Sequence, residues 1–236
     1  MTLRVALVAC LALAACQGQD PEAAAAAQAA AREQAAEEAA RGFDAAVSAG
    51  EWELARAHGD VLLADYPGTA AARRVAPQHA DIVVKAEDAG SARRLESLWS
   101  YQSVPVGGGE QRSASIVARE PVDVDGSGPG PVQLIFRDHP DWGRSRYLVL
   151  RAGDFACRGG CNVQVPVDDA APRAMAASRP DTEEAIAMFI EDEAALWDIV
   201  DDAGTIAIGF PVAAGGSRTA VFEVGGLDAD RMPGWN

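Results

Sequence analysis

The stretch Arg93–Arg119, RRLESLWSYQSVPVGGGEQRSASIVAR, is where the chain changes character. Arg93, Arg94, Leu95 and Leu98 predict a short helix after Gly90, whereas the residues beyond Trp99 are rich in Gly, Pro, Ser and β-branched side chains. Alanine marks the same change: 31 of the 50 alanines lie in residues 1–100 and only 2 in residues 101–150. A domain boundary is therefore expected near residue 100. Helices before it and strands after it predict an α+β fold: an N-terminal α-helical stalk and hairpin, then a mainly antiparallel β-sheet or sandwich domain with one helix.

Downstream, runs bounded by Gly, Pro or Asp predict strands at Ser113–Arg119, Val132–Arg137, Arg146–Arg151, Cys161–Val167, Met188–Ile190, Thr205–Phe210 and Thr219–Val224. In Glu193–Asp202, the spacing of Ala194, Leu196, Trp197 and Val200 suits a helix better than alternation does. The β-rich domain is placed at residues 101–230, with a tail at 231–236. The stretch Leu98–Gly226 resembles a domain of unknown function seen in bacterial envelope proteins. The resemblance rests on Trp99-Ser100-Tyr101, Arg137-Asp138-His139-Pro140 ahead of Trp142-Gly143, the Cys157–Cys161 segment, Met188-Phe189-Ile190 and Phe222-Glu223-Val224. It implies an envelope setting and attaches no catalytic residues.

Upstream, Asp20-Pro21-Glu22 supplies an N-cap and a proline at the first helical position, ahead of an Ala tract with interspersed Glu and Arg. Methyl groups bury little area, so residues 16–42 read as a helical spacer. It lacks the bulky heptad residues of a coiled coil. Residues 43–100 carry Phe43, Val47, a break at Gly50, then Trp52, Leu54, Val61, Leu62 and Tyr66 before Pro67-Gly68, the pattern of a helical hairpin. Thr69 is positioned to cap the next helix, and Pro77 is expected to break or kink it. The run 43–72 resembles one tetratricopeptide unit, which would make Trp52, Leu54 and Tyr66 candidates for an interaction surface. A single unit cannot form a solenoid, and a hairpin packed on its neighbours is the plainer reading.

Residues 1–15 have one early positive charge, Arg4, and an apolar stretch from Val5 to Ala15. At about 1.5 Å per residue this covers about half of a roughly 30 Å hydrocarbon core, so a signal peptide is expected rather than a span. Leu13-Ala14-Ala15-Cys16 resembles the bacterial lipobox. The resemblance implies acylation of Cys16 with diacylglycerol and palmitate-type chains, cleavage ahead of it, and a membrane partner through lipid alone. Gln17 after the cysteine implies the outer membrane, facing the periplasm. With Cys10 removed and Cys16 acylated, Cys157 and Cys161 are the remaining pair and are expected to form a disulfide in an oxidising compartment. Two glycines between them allow a tight reversal. A redox dithiol would instead have two intervening residues at a helix start.

Other chemistry is sparse. Asp123, Asp125 and Ser127, with Gly126, Gly128 and Pro129 interleaved or following, repeat the first half of a calcium loop, but Leu134 stands where a bidentate Glu is needed. An incidental loop is the favoured reading over a weak calcium site. Glu191, Asp192, Glu193, Asp198, Asp201 and Asp202 read as a solvated face. Adjacent Asp168 and Asp169 would face opposite ways on a strand. His58, His79 and His139 share no ligand spacing. No nucleophile elbow, phosphate loop or dinucleotide fingerprint is present, so no catalytic residue, cofactor or small-molecule substrate is expected. A net charge of −15, with Lys85 the one lysine, leaves no basic stripe for nucleic acid. The expectation is a lipid-anchored envelope protein acting as a non-enzymatic interaction or structural module on other envelope proteins. The second expectation is an accessory subunit of an assembly or secretion machine that docks through the hairpin.

Overall fold

The computed structural model describes residues 20–166, 171–192 and 195–235. Cys10, Cys16 and Gln17, Asp168 and Asp169, and Glu193 lie outside the described residues. The chain divides into two compact units, one ending at Glu87 and the other beginning at Asp88.

The first unit is helical. Helix α1 (Pro21–Ala49) starts where Asp20 Oδ1 accepts the Glu22 N–H at 3.0 Å. It runs without a break, so the expected spacer and the first arm of the hairpin are one helix. Good helix formers fill the whole stretch, and Arg41-Gly42 at the expected joint lies between buried Ala40 and Phe43, whose packing holds the helix through it. It ends at Gly50, whose φ of 72° opens the left-handed turn that brings its N–H to Val47 O and the Glu51 N–H to Ala46 O. Helix α2 (Trp52–Asp65) stops before Pro67-Gly68. Thr69 then caps helix α3 (Ala70–Ser97), its hydroxyl oxygen accepting the Ala72 N–H at 3.2 Å.

Pro77 does not break α3 as expected. Buried Ala71, Ala72 and Val75 before it and Ile82 after it pack on one core, and that packing holds the helix through the missing backbone bond. The core itself is small. Ala36, Ala40, Ala46 and Ala55 bring the helices close, while Phe43, Leu62, Val75 and Ile82 supply most of the buried volume. No described residue of α1 before Ala36 is buried.

Among its described residues the second unit carries nine strands, all paired antiparallel in one sheet rather than two: β1 (Trp99–Val106), β2 (Gly109–Val117), β3 (Val132–His139), β4 (Gly143–Leu150), β5 (Cys161–Val165), β6 (Arg173–Ser178), β7 (Ala187–Ile190), β8 (Ile206–Pro211) and β9 (Ser217–Phe222). The order is β1-β2-β3-β4-β7-β6-β5-β8-β9. The fold is α+β. The sheet curls on itself, so that Arg119 N–H, just past β2, donates to Val221 O on β9, and the Trp99 indole donates to Val224 O.

Two strands, β1 and β6, carry weak sequence signals. β1 is an edge strand rich in Ser and Gln with Pro105 inside it, and β6 is RAMAAS, whose alanines favour helix. Pairing decides both cases. β6 lies between β5 and β7 with Met175 and Ala177 turned to the core, and β1 forms a two-residue hairpin with β2.

Helix α4 (Ala195–Asp202) covers the core face of the sheet with Leu196, Trp197 and Val200, leaving Asp198, Asp201 and Asp202 exposed. Trp197 meets Phe136 of β3 edge-on at 5.2 Å, and Trp235 closes the same cluster at 4.9 Å from Trp197. Inward-facing Leu134, Leu148 and Leu150 continue this core along β3 and β4.

Candidate functional site

Cys157 and Cys161 are disulfide-bonded, with Cα atoms 5.0 Å apart. Gly159 and Gly160 between them have φ of 77° and 100°, which side-chain-bearing residues rarely adopt, so the reversal needs both. Cys157 is buried and Cys161 opens β5 opposite Ala177 of β6. The bridge thus fixes the start of a strand.

The ring also holds Arg158 outward. Its guanidinium donates to Asp181 Oδ1 at 3.0 Å and to Thr182 O at 2.9 Å. Arg179 reaches the same segment from inside: it pairs with Asp154 and donates to Thr182 O, and its side chain is only 2% exposed. Asp154 also accepts the Ala185 N–H at 3.1 Å. Burial acts to raise the Asp154 carboxyl, but the Arg179 guanidinium and the backbone N–H groups outweigh it and hold the group below the ordinary carboxylate range. Residues 181–185 are strapped down by these contacts. The cleft beside the strap, lined by Arg158, Asn162, Ser178 and Glu191, is open to solvent and mixes both charges.

The candidate calcium loop is occupied by its own backbone. Asp123 Oδ1 accepts the Gly126 N–H at 2.7 Å and Asp125 Oδ1 accepts the Ser127 N–H at 2.9 Å. These are Asx turns. The Ser127 hydroxyl and N–H hold the Asp125 carboxyl below its usual value. Among the described residues, no three His, Cys, Asp or Glu side chains come together to hold a metal ion. No described helix is long and apolar enough to cross a membrane.

The three candidate surface residues of the hairpin separate. Trp52 is half-buried, its ring under the Lys85 ammonium at 4.4 Å, and Tyr66 packs against the core while its carbonyl accepts the Thr69 hydroxyl. Leu54 is exposed, as are Val61 on the same helix and Val84 on α3. Lys85 thus joins the hairpin through the Trp52 ring.

A further constellation lies on the outer face of β3, β4 and β7. Trp142, at the tip of the β3–β4 hairpin, is 71% exposed, and its indole stacks on buried His139 at 3.9 Å. The Arg137 guanidinium lies 5.5 Å from the Trp142 ring and 5.5 Å from the Tyr147 ring. Tyr147 in turn meets Phe189, its partner across the β4–β7 ladder, at 5.2 Å. The motif Arg137-Asp138-His139-Pro140 ahead of Trp142 was visible in the sequence. Its assembly with Tyr147 and Phe189 depends on which face each strand turns outward, which sequence alone left open.

No family model, curated protein or solved structure matches the chain.

Proposed function

We propose that the chain is a lipid-anchored protein of the bacterial cell envelope, held at the outer membrane on its periplasmic side, that acts as a non-enzymatic interaction module. The observation that carries this reading is an anchor motif in the sequence four residues ahead of the first described helix. Leu13-Ala14-Ala15-Cys16 ends an apolar stretch, and from Pro21 a helix runs with no buried residue before Ala36. Residues 21–31, ahead of the point where Arg32 donates to Asp65 O and Glu33 accepts the Ala70 N–H, span about 16 Å as a helix, a reach suited to holding a folded body away from a bilayer. The disulfide-closed turn supports an oxidising compartment.

The test is fractionation. Replacing Cys16 by Ser is expected to move the protein from the membrane pellet to the soluble envelope fraction. Retention of Cys16→Ser in the pellet, resistant to high salt, overturns the lipid-anchor reading.

A second reading, an accessory subunit of an envelope assembly or secretion machine docking through the helical hairpin, is favoured by exposed Leu54 and Val61 one above the other on α2. Leu54→Asp with Val61→Asp would then remove the protein from the machine. Unchanged co-purification would leave the hairpin a packing element alone.

A further inference from the structure

We infer that the outer face of β3, β4 and β7, centred on Arg137, Trp142 and Tyr147, is a docking surface for a protein segment that presents a carboxylate beside an aromatic or aliphatic side chain. The inference deepens the interaction-module reading and rests on it, by giving that module a partner of stated chemistry.

The argument begins with charge. The chain has 35 acidic residues against 20 basic ones, and several arginines are taken up by acids, Arg74 by Asp44 and Glu37, Arg94 by Glu223, Arg173 by Asp192, while Arg144 and Arg231 lie over rings of Trp235 and Tyr101. Arg137 pairs with no carboxylate among the described residues. It is held instead between two rings, each within cation–π range. Across the ladder from it stands Ser145. Arg137 Nε and Ser145 Oγ are both shielded from water, and neither has a hydrogen-bond partner among the described residues. Shielding a donor without an acceptor is unfavourable. Nε and Oγ are sealed from any docking partner as well as from water, so what the face offers outward is the two Nη groups of the guanidinium, which are not among the shielded atoms.

A carboxylate is the acceptor that fits. A guanidinium presents its N–H groups as a planar fork that matches a carboxylate in two parallel hydrogen bonds, and the rings have already reduced the freedom lost on docking. The indole of Trp142 and the Tyr147–Phe189 pair give the segment's apolar side chain a surface to cover. Trp, Tyr and Arg are the residue types that dominate the energetics of protein interfaces. The sheet face is stiff, since Arg137 and Tyr147 belong to the centre of a β2-β3-β4-β7 ladder.

The experiment selects a displayed library of random dodecapeptides on the full-length protein in detergent, then titrates the strongest peptide. Enriched sequences are expected to carry Asp or Glu next to Phe, Trp, Tyr or Leu. Affinity is expected to fall about tenfold in R137Q and in the peptide with its acid amidated, as for loss of a charge-paired interface arginine, and to be unaffected in L54D. Should R137Q fail to fold by thermal unfolding, R137K keeps the charge, loses the fork and takes its place. Selection without an acidic motif, or equal binding by the Arg137 variant, overturns the proposal. So does binding to phosphatidylglycerol vesicles by the Cys16→Ser chain that W142A abolishes, which makes the surface lipid-facing. Self-association abolished by R137Q makes a second copy the occupant and equally overturns it. The fractionation of Cys16→Ser is read independently, so failure of the anchor and failure of the surface are distinguishable.

Discussion

Arg179 is nearly out of water, and its guanidinium is held there by Asp154 together with the carbonyls of Pro180, Thr182 and Glu183. Removing one member of a buried pair leaves the other charge without compensation, so Arg179→Ala is expected to destabilise the β-rich unit by about 3 kcal/mol, measured by denaturant unfolding. The same pair sets a pH response. Asp154 is held below the ordinary carboxylate range in the folded chain, so its contribution is fully present above the unfolded value, about 3.9, and is lost as pH falls through the folded one. Hydrogen exchange at residues 181–185 is expected to rise over that acid window and to be already high at neutral pH in Arg179→Ala. Unchanged exchange in the variant would show that Arg158 alone holds the strap. None of this was legible in the sequence, because Asp154 and Arg179 are 25 residues apart and only the pairing of β6 brings them together. Cys157 and Cys161 were legible because their ring is local and its two glycines state the turn.

At the scale of elements, Pro77 shows where local rules stop. A proline in mid-helix removes one backbone hydrogen bond and crowds the preceding turn, yet α3 passes through it with buried residues on both sides. The residue is therefore a cost that packing offsets. Pro77→Ala is expected to stabilise the helical unit, by up to roughly 3 kcal/mol, with no change in helix content by circular dichroism. A destabilised variant would mean that the proline shapes the helix in a way its neighbours use. β6 is the opposite case: three alanines and a methionine in six residues give no strand pattern, and the strand exists because β5 and β7 stand on either side. The strands with alternating Val, Ile, Leu or Phe, such as β3 and β8, were readable from that alternation alone. The docking face was half-readable. Its residues are close in sequence from Arg137 to Tyr147, but only the register shows that Arg137, Ser145, Tyr147 and Phe189 share the outer side.

For the whole molecule, two cores of different make stand in one chain. The helical unit relies on Phe43, Leu62, Val75 and Ile82 among alanines, while the β-rich unit buries Trp197, Phe136, Phe155, Phe210 and Phe222. Large-to-small replacement of a buried aromatic costs about 3–5 kcal/mol, which is most of what so small a core can supply. Phe43→Ala is therefore expected to abolish the thermal transition of the helical unit. The tryptophan signal of the β-rich unit should keep its own midpoint, in calorimetry and near-ultraviolet dichroism recorded together. A single transition shifted as one would show that the two cores unfold cooperatively. The acidic balance of the chain acts at this scale too, as a general repulsion toward polyanions, against which the ring-held Arg137 is a local exception.

The exposed first half of α1 is also a ruler. Because a helix advances a fixed distance and turns about 100° per residue, deleting seven residues from 21–31 shortens it by about 10 Å and leaves the core facing nearly the same way. Deleting five shortens it by about 7 Å and swings the core by about 140°. Reach and bearing can thus be varied separately in one helix, and whatever the folded units must meet will reveal which of the two it measures.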